Sequence, residues 1–202
     1  PDIVALQEFN INAAVEAAAM LGAIRLPYTL TNERQIKASG RRNYGLLLAA
    51  RWPPAGRSSV RRALAGDSAV GGRGRAVWRC ELHTTHIPPG ASNGRIKVET
   101  LQGVYHRLAC DSPLPRILCG DFNTPQREFP DGTVYTWGQT QTGALRRSRL
   151  GWDAIERSVV VGLADYDLAD VFRRFHGYGV DAASWVARRN GREWPRRFDH
   201  VF

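Results

Sequence analysis

A carboxylate and an amide follow directly after an apolar run in the middle of the sequence. The run Arg116 to Cys119 is followed by Gly-Asp-Phe-Asn, so Asp121 and Asn123 stand two residues apart. On an extended chain this spacing puts both side chains on one face, at the strand end where open α/β folds bind their ligands. An aspartate there can orient or deprotonate water, and an asparagine can hold a phosphate oxygen or the nucleophile. A plain Asx turn after the strand is the alternative.

A second carboxylate ends the first apolar segment of the chain. Glu8 follows Val4 to Leu6, which has the character of a short buried strand. Such a glutamate is either a metal ligand at the sheet edge or a cap for the next helix. Mg²⁺ prefers oxygen ligands and keeps several waters, so one or two carboxylates are enough to bind it. Together with Asp121 and Asn123, Glu8 indicates metal-assisted hydrolysis of a phosphoester.

Four motifs, in one order and spanning almost the whole chain, resemble those of the endonuclease/exonuclease/phosphatase superfamily. They are Asp-Ile-Val-Ala-Leu-Gln-Glu at 2–8, Thr-His-Ile at 85–87, Gly-Asp-Phe-Asn at 120–123 and Arg-Phe-Asp-His at 197–200. The resemblance implies an α/β fold of the α+β type, in which two packed mixed β-sheets are flanked by helices in a four-layer sandwich. It also implies a hydrolase that uses Mg²⁺ or Mn²⁺.

The same resemblance implies a role for each matching residue. Glu8 would be the principal metal ligand, and His86 would donate a hydrogen bond near the scissile phosphate. Asp121 would position or activate the attacking water, and Asn123 would fix that water or a phosphate oxygen. Asp199 would orient a catalytic histidine and raise its basicity, as a carboxylate partner does.

Two parts of the family pattern are missing. The family has a metal-site asparagine on a strand before the first motif, and a Ser-Asp-His motif at its end that supplies the catalytic histidine. Asp199-His200 could be that last pair, but the arginines before it favour the earlier Arg-x-Asp strand. We therefore expect residues 1–202 to be one domain that is incomplete at both termini, and this fragment could be inactive.

The elements that must position these residues follow from apolar periodicity and from turn residues. Helices are expected where apolar residues recur with helical spacing, and strands where apolar runs or alternation occur. The predicted helices are 12–21, 96–108, 152–161 and 168–175. The predicted strands are 4–6, 44–51, 76–87, 116–119, 183–186 and 198–202. Residues 57–74 are expected to form a surface loop, and residues 126–149 an irregular polar segment.

Composition restricts the partners of the protein. Lys and Arg number 28 against 19 Asp and Glu, which gives a net charge of +9 and favours polyanions such as nucleic acid. Six arginine pairs could track phosphates, although each alone is more typical of a solvated surface: 41–42, 61–62, 146–147, 173–174, 188–189 and 196–197. Three cysteines without metal-knuckle spacing favour a reducing compartment. No run reaches the roughly 18 apolar residues of a membrane span. Because the cysteines favour a reducing compartment and no signal peptide is visible, we expect a cytoplasmic protein; its oligomeric state stays open.

Three functions fit these observations. The first is a metal-dependent phosphodiesterase or nuclease acting on nucleic acid. The second applies the same chemistry to a small or lipid phosphoester, although no apolar membrane-facing hairpin is visible in the sequence. The third is an inactive, basic nucleic-acid-binding remnant of the fold.

Overall fold

The computed structural model describes residues 1–33, 43–55, 60–61, 64–65, 69–70, 80–89 and 94–202. The chain divides into two compact units. Unit 1 comprises Pro1–His86 and Ser112–Gly120, and unit 2 comprises Ile87–Asp111 and Asp121–Phe202. None of the helices in the described ranges is long and apolar enough to cross a bilayer.

Unit 1 contains an antiparallel sheet in which β3 lies between β1 and β2. Its strands are β1 (Ile3–Asn10), β2 (Tyr28–Thr31) and β3 (Tyr44–Ala50). A 3₁₀ turn follows β1, because the Asn10 side chain accepts a hydrogen bond from the Asn12 N–H at 3.1 Å and caps the turn. Helix α1 (Ala14–Ala23) then returns the chain towards β2. Apolar side chains from α1, β1, β3 and the connection between α1 and β2 form the core of this part: Val4, Phe9, Ala17, Leu21, Leu26, Leu47 and Ala49.

A second sheet of unit 1 carries the strands that lead to the candidate site. In it β9, β8, β6 and β5 lie side by side in that order. The strands, with the separate β4–β7 pair, are β4 (Pro54–Ala55), β5 (Val60–Arg61), β6 (Leu64–Ala65), β7 (Ala69–Val70), β8 (Glu81–His86) and β9 (Arg116–Asp121). Gln7 Nε2 donates to Thr84 Oγ1 at 2.9 Å and so joins the two sheets of the unit.

Unit 2 is built on helix α2 (Gly94–Leu108), which packs against helix α3 (Trp152–Val160). Helix α2 buries a stripe at helical spacing that consists of Lys97, Leu101, Val104 and Leu108. The remaining elements of the unit are α4 (Val171–His176), β10 (Arg127–Glu128), β11 (Val134–Tyr135), β12 (Trp185–Arg189), β13 (Arg192–Arg196) and β14 (Asp199–Val201). Strands β10 and β11 form one antiparallel pair, and β12 and β13 form another.

The α/β class with mixed sheets and helices is confirmed, and several element boundaries differ from expectation. The predicted helix 168–175 begins only at Val171, because Asp170 caps it through the Arg173 N–H at 3.0 Å. Strand β13 was not predicted, because its exposed, arginine-rich residues lack an apolar alternation. Most of the predicted loop 57–74, and residues 76–79 of the predicted strand 76–87, lie outside the described residues.

Candidate active site

The Gly-Asp-Phe-Asn turn begins with a glycine that no other residue can replace without movement. Gly120 has a φ of +150°, and a Cβ built on it would lie 1.9 Å from the carbonyl oxygen of Thr85. Strands β8 and β9 therefore approach closely at this point, which requires a residue without a side chain. The first role of the motif is to bring the backbone that carries Asp121 to the end of β9.

Asp121 and Asn123 form a closed pair of hydrogen bonds. The Asp121 carboxylate accepts from the Asn123 backbone N–H at 2.8 Å and from Asn123 Nδ2 at 2.9 Å. Asn123 Nδ2 also donates to the Ile87 carbonyl oxygen at 3.0 Å. Both acceptors require the nitrogen at this position, which settles the orientation of the amide. The Asn123 oxygen Oδ1 is the part of the side chain that these bonds do not use.

The backbone of Asn123 is held in a conformation that few residues adopt. Its φ is +49°, in the left-handed region where asparagine is enriched. Its carbonyl oxygen accepts hydrogen bonds from Lys97 Nζ and from Trp137 Nε1, each at 2.8 Å. Two donors on one carbonyl oxygen fix the position of this residue from two different segments of unit 2.

Lys97 and Glu156 place a buried cation and a buried carboxylate behind the Asp121–Asn123 pair. Lys97 is fully buried, and this burial lowers its pKa to about 8 against the attraction of Glu156 and Asp121. Burial raises the pKa of Glu156, against the attraction of Lys97. Glu156 Oε2 accepts from the Thr124 hydroxyl and from the Trp137 N–H, whereas Glu156 Oε1 has no hydrogen-bond partner among the described residues.

His200 has a structural task in unit 2. It is buried, its Nδ1 lies 2.8 Å from Asp170 Oδ2, and its Nε2 lies 2.8 Å from the Thr124 carbonyl oxygen. These contacts hold the ring between the Asp170 carboxylate and the Thr124 carbonyl oxygen. His200 therefore fixes the backbone just after Asn123 and is not placed for proton transfer to a substrate.

Two arginines from the predicted phosphate-tracking pairs are buried instead. Glu128 accepts hydrogen bonds from Arg173 and Arg197, with the shortest distances at 2.8 and 2.7 Å. Burial alone would raise the pKa of Glu128, but these bonds lower it below its ordinary value. Arg197 also donates to Asp170 Oδ2 at 2.8 Å. The network stabilises unit 2, and these two arginines are not available to nucleic acid.

Glu8 and His86 lie together within unit 1. Strand β1 has a register shift between Leu6 and Phe9, and Glu8 within it has a φ of +52°. This bulge directs the Glu8 side chain, which is 71% exposed, to within 3.8 Å of His86 Nε2, measured from Oε1. An exposed carboxylate suits Mg²⁺, which needs only one or two such ligands. In the described part of the chain, no three or more His, Cys, Asp or Glu side chains form a group that could hold a metal ion.

Asp199 lies in unit 2 on the segment next to the Gly-Asp-Phe-Asn turn. The Phe122 N–H donates to the Phe198 carbonyl oxygen at 2.8 Å, so the segments that carry Asp121 and Asp199 run side by side. The Asp199 side chain is exposed and lines a cleft of about 460 Å³ together with Phe175 and other residues of α4. The buried His200 takes its carboxylate partner from Asp170, and the role of Asp199 in orienting a catalytic histidine stays a prediction.

Lys97 and Glu156 were not predicted from the sequence, although each leaves a signal there. Lys97 occupies a position in the buried stripe of α2, four residues before Leu101. Glu156 lies in the corresponding buried stripe of α3 with Val159 and Val160. A charged residue at a core position of an amphipathic helix indicates a buried polar contact. Its partners cannot be read from the sequence.

The sequence model of the Endonuclease/Exonuclease/phosphatase family matches residues 1–202. The chain belongs to this family. A search of curated proteins gives no match.

Solved structures of the endonuclease/exonuclease/phosphatase fold resemble this chain over its full length. An AP endonuclease from Archaeoglobus fulgidus has a TM-score of 0.63 at 16% identity, and the match covers 100% of this chain and 75% of that one. The human Nocturnin catalytic domain with bound sulfate has a TM-score of 0.61 at 13% identity, and the match covers 100% of this chain and 68% of that one. A humanized D. rerio TDP2 with 14 mutations has a TM-score of 0.59 at 15% identity, and the match covers 100% of this chain and 69% of that one. At these identities the likeness establishes the fold.

Proposed function

We propose that this protein is a divalent-metal-dependent phosphodiesterase that cleaves nucleic acid by attack of water on phosphorus. The observation that carries the proposal is the Asp121–Asn123 pair, in which both polar side chains are fixed by mutual hydrogen bonds at the end of β9. Fixed groups of this kind lose little freedom when a reaction takes place, which is how catalytic sites gain rate through positioning.

In this proposal Asp121 and Asn123 hold the attacking water. Each carboxylate oxygen of Asp121 has lone pairs beyond those used by Asn123, so it can accept a hydrogen bond or a proton from water. Asn123 donates from Nδ2 to Asp121 and Ile87, which leaves Oδ1 as a second acceptor. Two acceptors orient the water's hydrogens and direct an oxygen lone pair at phosphorus. This argument favours the water over a phosphate oxygen as the partner of Asn123.

Glu8 is the proposed ligand of Mg²⁺ or Mn²⁺, because its carboxylate is exposed and the bulge in β1 turns it outward. When bound, such a metal polarises a phosphoryl oxygen and neutralises developing charge. His86 is proposed to donate a hydrogen bond to the scissile phosphate, next to the carboxylate of Glu8. Asp199 is proposed to orient a catalytic histidine.

The choice of nucleic acid as substrate is supported by charge and by the neighbours. The net charge of +9 favours a polyanion. Among the similar structures, one is an AP endonuclease, and one is a D. rerio TDP2 complexed with a single-strand DNA product. Small or lipid phosphoesters are the alternative substrates, and no particular contact in the structure favours them.

Plasmid nicking tests the proposal. The protein is incubated with supercoiled plasmid and Mg²⁺ or Mn²⁺, with EDTA, and as the Asp121→Ala and Glu8→Gln variants. Asp165→Ala, which removes an exposed carboxylate elsewhere in unit 2, is the matched control. We expect nicking by the wild type and by Asp165→Ala, loss of nicking in EDTA, and at least a hundredfold decrease in Asp121→Ala.

Nicking that persists in EDTA or in Asp121→Ala would contradict the proposed mechanism. If the plasmid stays intact, a panel of inositol phosphates and lipid phosphodiesters distinguishes the remaining possibilities. Turnover of these compounds would move the substrate to a small phosphoester. DNA binding without any turnover, unaffected by Glu8→Gln, would identify a non-enzymatic binding domain.

A further inference from the structure

A cleft of about 950 Å³ lies within unit 2, beside β10 and β13. Two arginines that pair with no carboxylate of the described residues line it: Arg127 on β10 and Arg196 on β13. Glu128, which lines the same cleft, is bound by Arg173 and Arg197 and so does not neutralise Arg127 or Arg196. We refer to this feature as the arginine–aromatic cleft.

The two guanidinium groups are close enough to repel each other. Burial lowers the pKa of Arg196, and the charge of Arg127 lowers it further. Within the described residues, neither arginine forms an ion pair with a carboxylate. Like charges that face each other without a counter-ion raise the free energy of the folded state, and a bound anion would remove that cost. The cleft therefore suits a ligand with negative charge.

Aromatic rings lie beside both arginines. The Arg127 guanidinium carbon is 4.5 Å from the ring centre of Phe129, and that of Arg196 is 5.8 Å from the ring centre of Trp194. Trp194 is 39% exposed. Because Trp194 and Arg196 are two apart on β13, and Trp185 pairs with Arg196 across the hairpin, all three side chains share one face.

Positive charges interspersed with exposed aromatic rings are the pattern of single-stranded nucleic-acid binding. The arginines contact the backbone, and each aromatic face stacks on a base that is not paired. A duplex keeps its bases stacked on one another and exposes only their edges, in the grooves, so no base face is available to stack on the exposed rings. The aromatic faces therefore favour a single strand over a duplex.

We propose that the arginine–aromatic cleft binds a single-stranded segment of the substrate, with Arg127 and Arg196 on phosphates and Trp194 stacked on a base. The inference rests on the proposed function only in taking nucleic acid as the ligand. It adds that the strand is unpaired where it enters this cleft, so the preferred substrate is single-stranded or has a single-stranded end.

Binding is measured without turnover so that this proposal and the proposed hydrolysis can fail separately. Fluorescence anisotropy in EDTA measures the affinity for three labelled oligonucleotides. They are a thymidine strand and a strand of abasic tetrahydrofuran units, each about eight residues long, and a hairpin duplex with a stem of about eight base pairs. The variants are Arg127→Ser/Arg196→Ser and Trp194→Leu. The matched control is Arg147→Ser/Arg174→Ser, which removes two exposed charges outside the cleft. Thermal unfolding of each variant checks that it is folded.

Arg127→Ser/Arg196→Ser is expected to weaken thymidine-strand binding at least tenfold and to reduce the slope of log K against log salt by about 1.4, the value for two single-strand phosphates. Trp194→Leu is expected to weaken it about tenfold, and to leave the abasic strand unaffected. The control pair is expected to change affinity less than threefold.

Three results would overturn the proposal. Equal losses of affinity for the thymidine strand in Arg127→Ser/Arg196→Ser and in the control pair would show that binding depends only on net charge. Equal losses for the hairpin duplex would remove the preference for single strands. Equal affinity of the wild type for the abasic and thymidine strands would show that no base is stacked. Cleft-dependent binding, with no Mg²⁺-dependent cleavage of either the plasmid or the thymidine strand, would leave this inference standing and reject the proposed hydrolysis of nucleic acid.

Discussion

Replacing Lys97 by methionine tests the buried charge behind the Asp121–Asn123 pair. Methionine keeps an unbranched side chain of similar size on α2 and removes the ammonium group that donates to the Asn123 carbonyl oxygen. In the folded protein the pKa of Lys97 is lowered from 10.5 to about 8, chiefly by burial. In the unfolded chain it returns to its ordinary value.

The sign of the pH dependence follows from this difference. Between about pH 8 and 10.5 the unfolded chain binds more protons than the folded protein, so the free energy of unfolding increases as the pH rises. Two pKa values of about 8 and 10.5 give a gain of about 2 kcal/mol between about pH 7.5 and pH 10. In Lys97→Met this group is absent, and the gain should disappear.

Urea unfolding gives the free energy of unfolding of the wild type and of Lys97→Met at both pH values. The difference between the two proteins in their change with pH isolates the contribution of Lys97, because other titrating groups contribute to both. Glu156→Gln is a second variant, because it removes the carboxylate that attracts the Lys97 charge. In that protein the pKa of Lys97 should fall further, so the rise in stability should begin at lower pH. The reasoning would be refuted if the wild type and Lys97→Met gained the same free energy between the two pH values.

Two further predictions concern the residues that support the turn. Gly120→Ala should destabilise the protein by more than about 3 kcal/mol, because its Cβ would lie 1.9 Å from the Thr85 carbonyl oxygen. Urea midpoints measure this against Gly179→Ala, where no atom of the described residues other than the chain neighbours lies within 4 Å of the new Cβ, and equal effects would reject the steric explanation. Burial alone would raise the pKa of Asp170, but hydrogen bonds, first that from His200, lower it. The ionised Asp170 carboxylate therefore stabilises the folded protein above about pH 4, and this stabilisation is lost as the pH falls further. Asp170→Asn should cost about 3 kcal/mol at pH 7 and less at pH 3, and an equal cost in unfolding experiments at both pH values would contradict this assignment.

The fold class and the family could be predicted because they depend on local patterns. Asp121 and Asn123 follow an apolar run, from which Gly120 separates them. This spacing alone predicts two polar groups at a strand end. Helix α2 was predicted within two residues of its observed start, because its apolar stripe has helical spacing over four turns.

Contacts between distant segments could not be predicted in the same way. Lys97 reaches the Asn123 carbonyl oxygen, and Asp170 reaches His200, across 26 and 30 residues of sequence. Such pairings depend on how the elements pack, and no local spacing encodes them. The doublet Arg196-Arg197 shows the same limit. Both residues line the cleft, but Arg197 is bound by Glu128 and Asp170, whereas Arg196 has no carboxylate partner among the described residues. Nothing in the local sequence distinguishes these two identical neighbours.

The backbone conformation of Glu8 is unfavourable for a glutamate, and this affects which residue selection favours at the position. A glutamate with a φ of +52° costs about 1 kcal/mol relative to glycine or asparagine at the same position. Selection for stability alone would therefore replace it, since the exposed side chain contributes little packing in return. The proposed role as a metal ligand would be a reason to keep a glutamate in this bulge. Consensus design or directed evolution towards heat resistance should accordingly lose Glu8 early unless activity is selected at the same time.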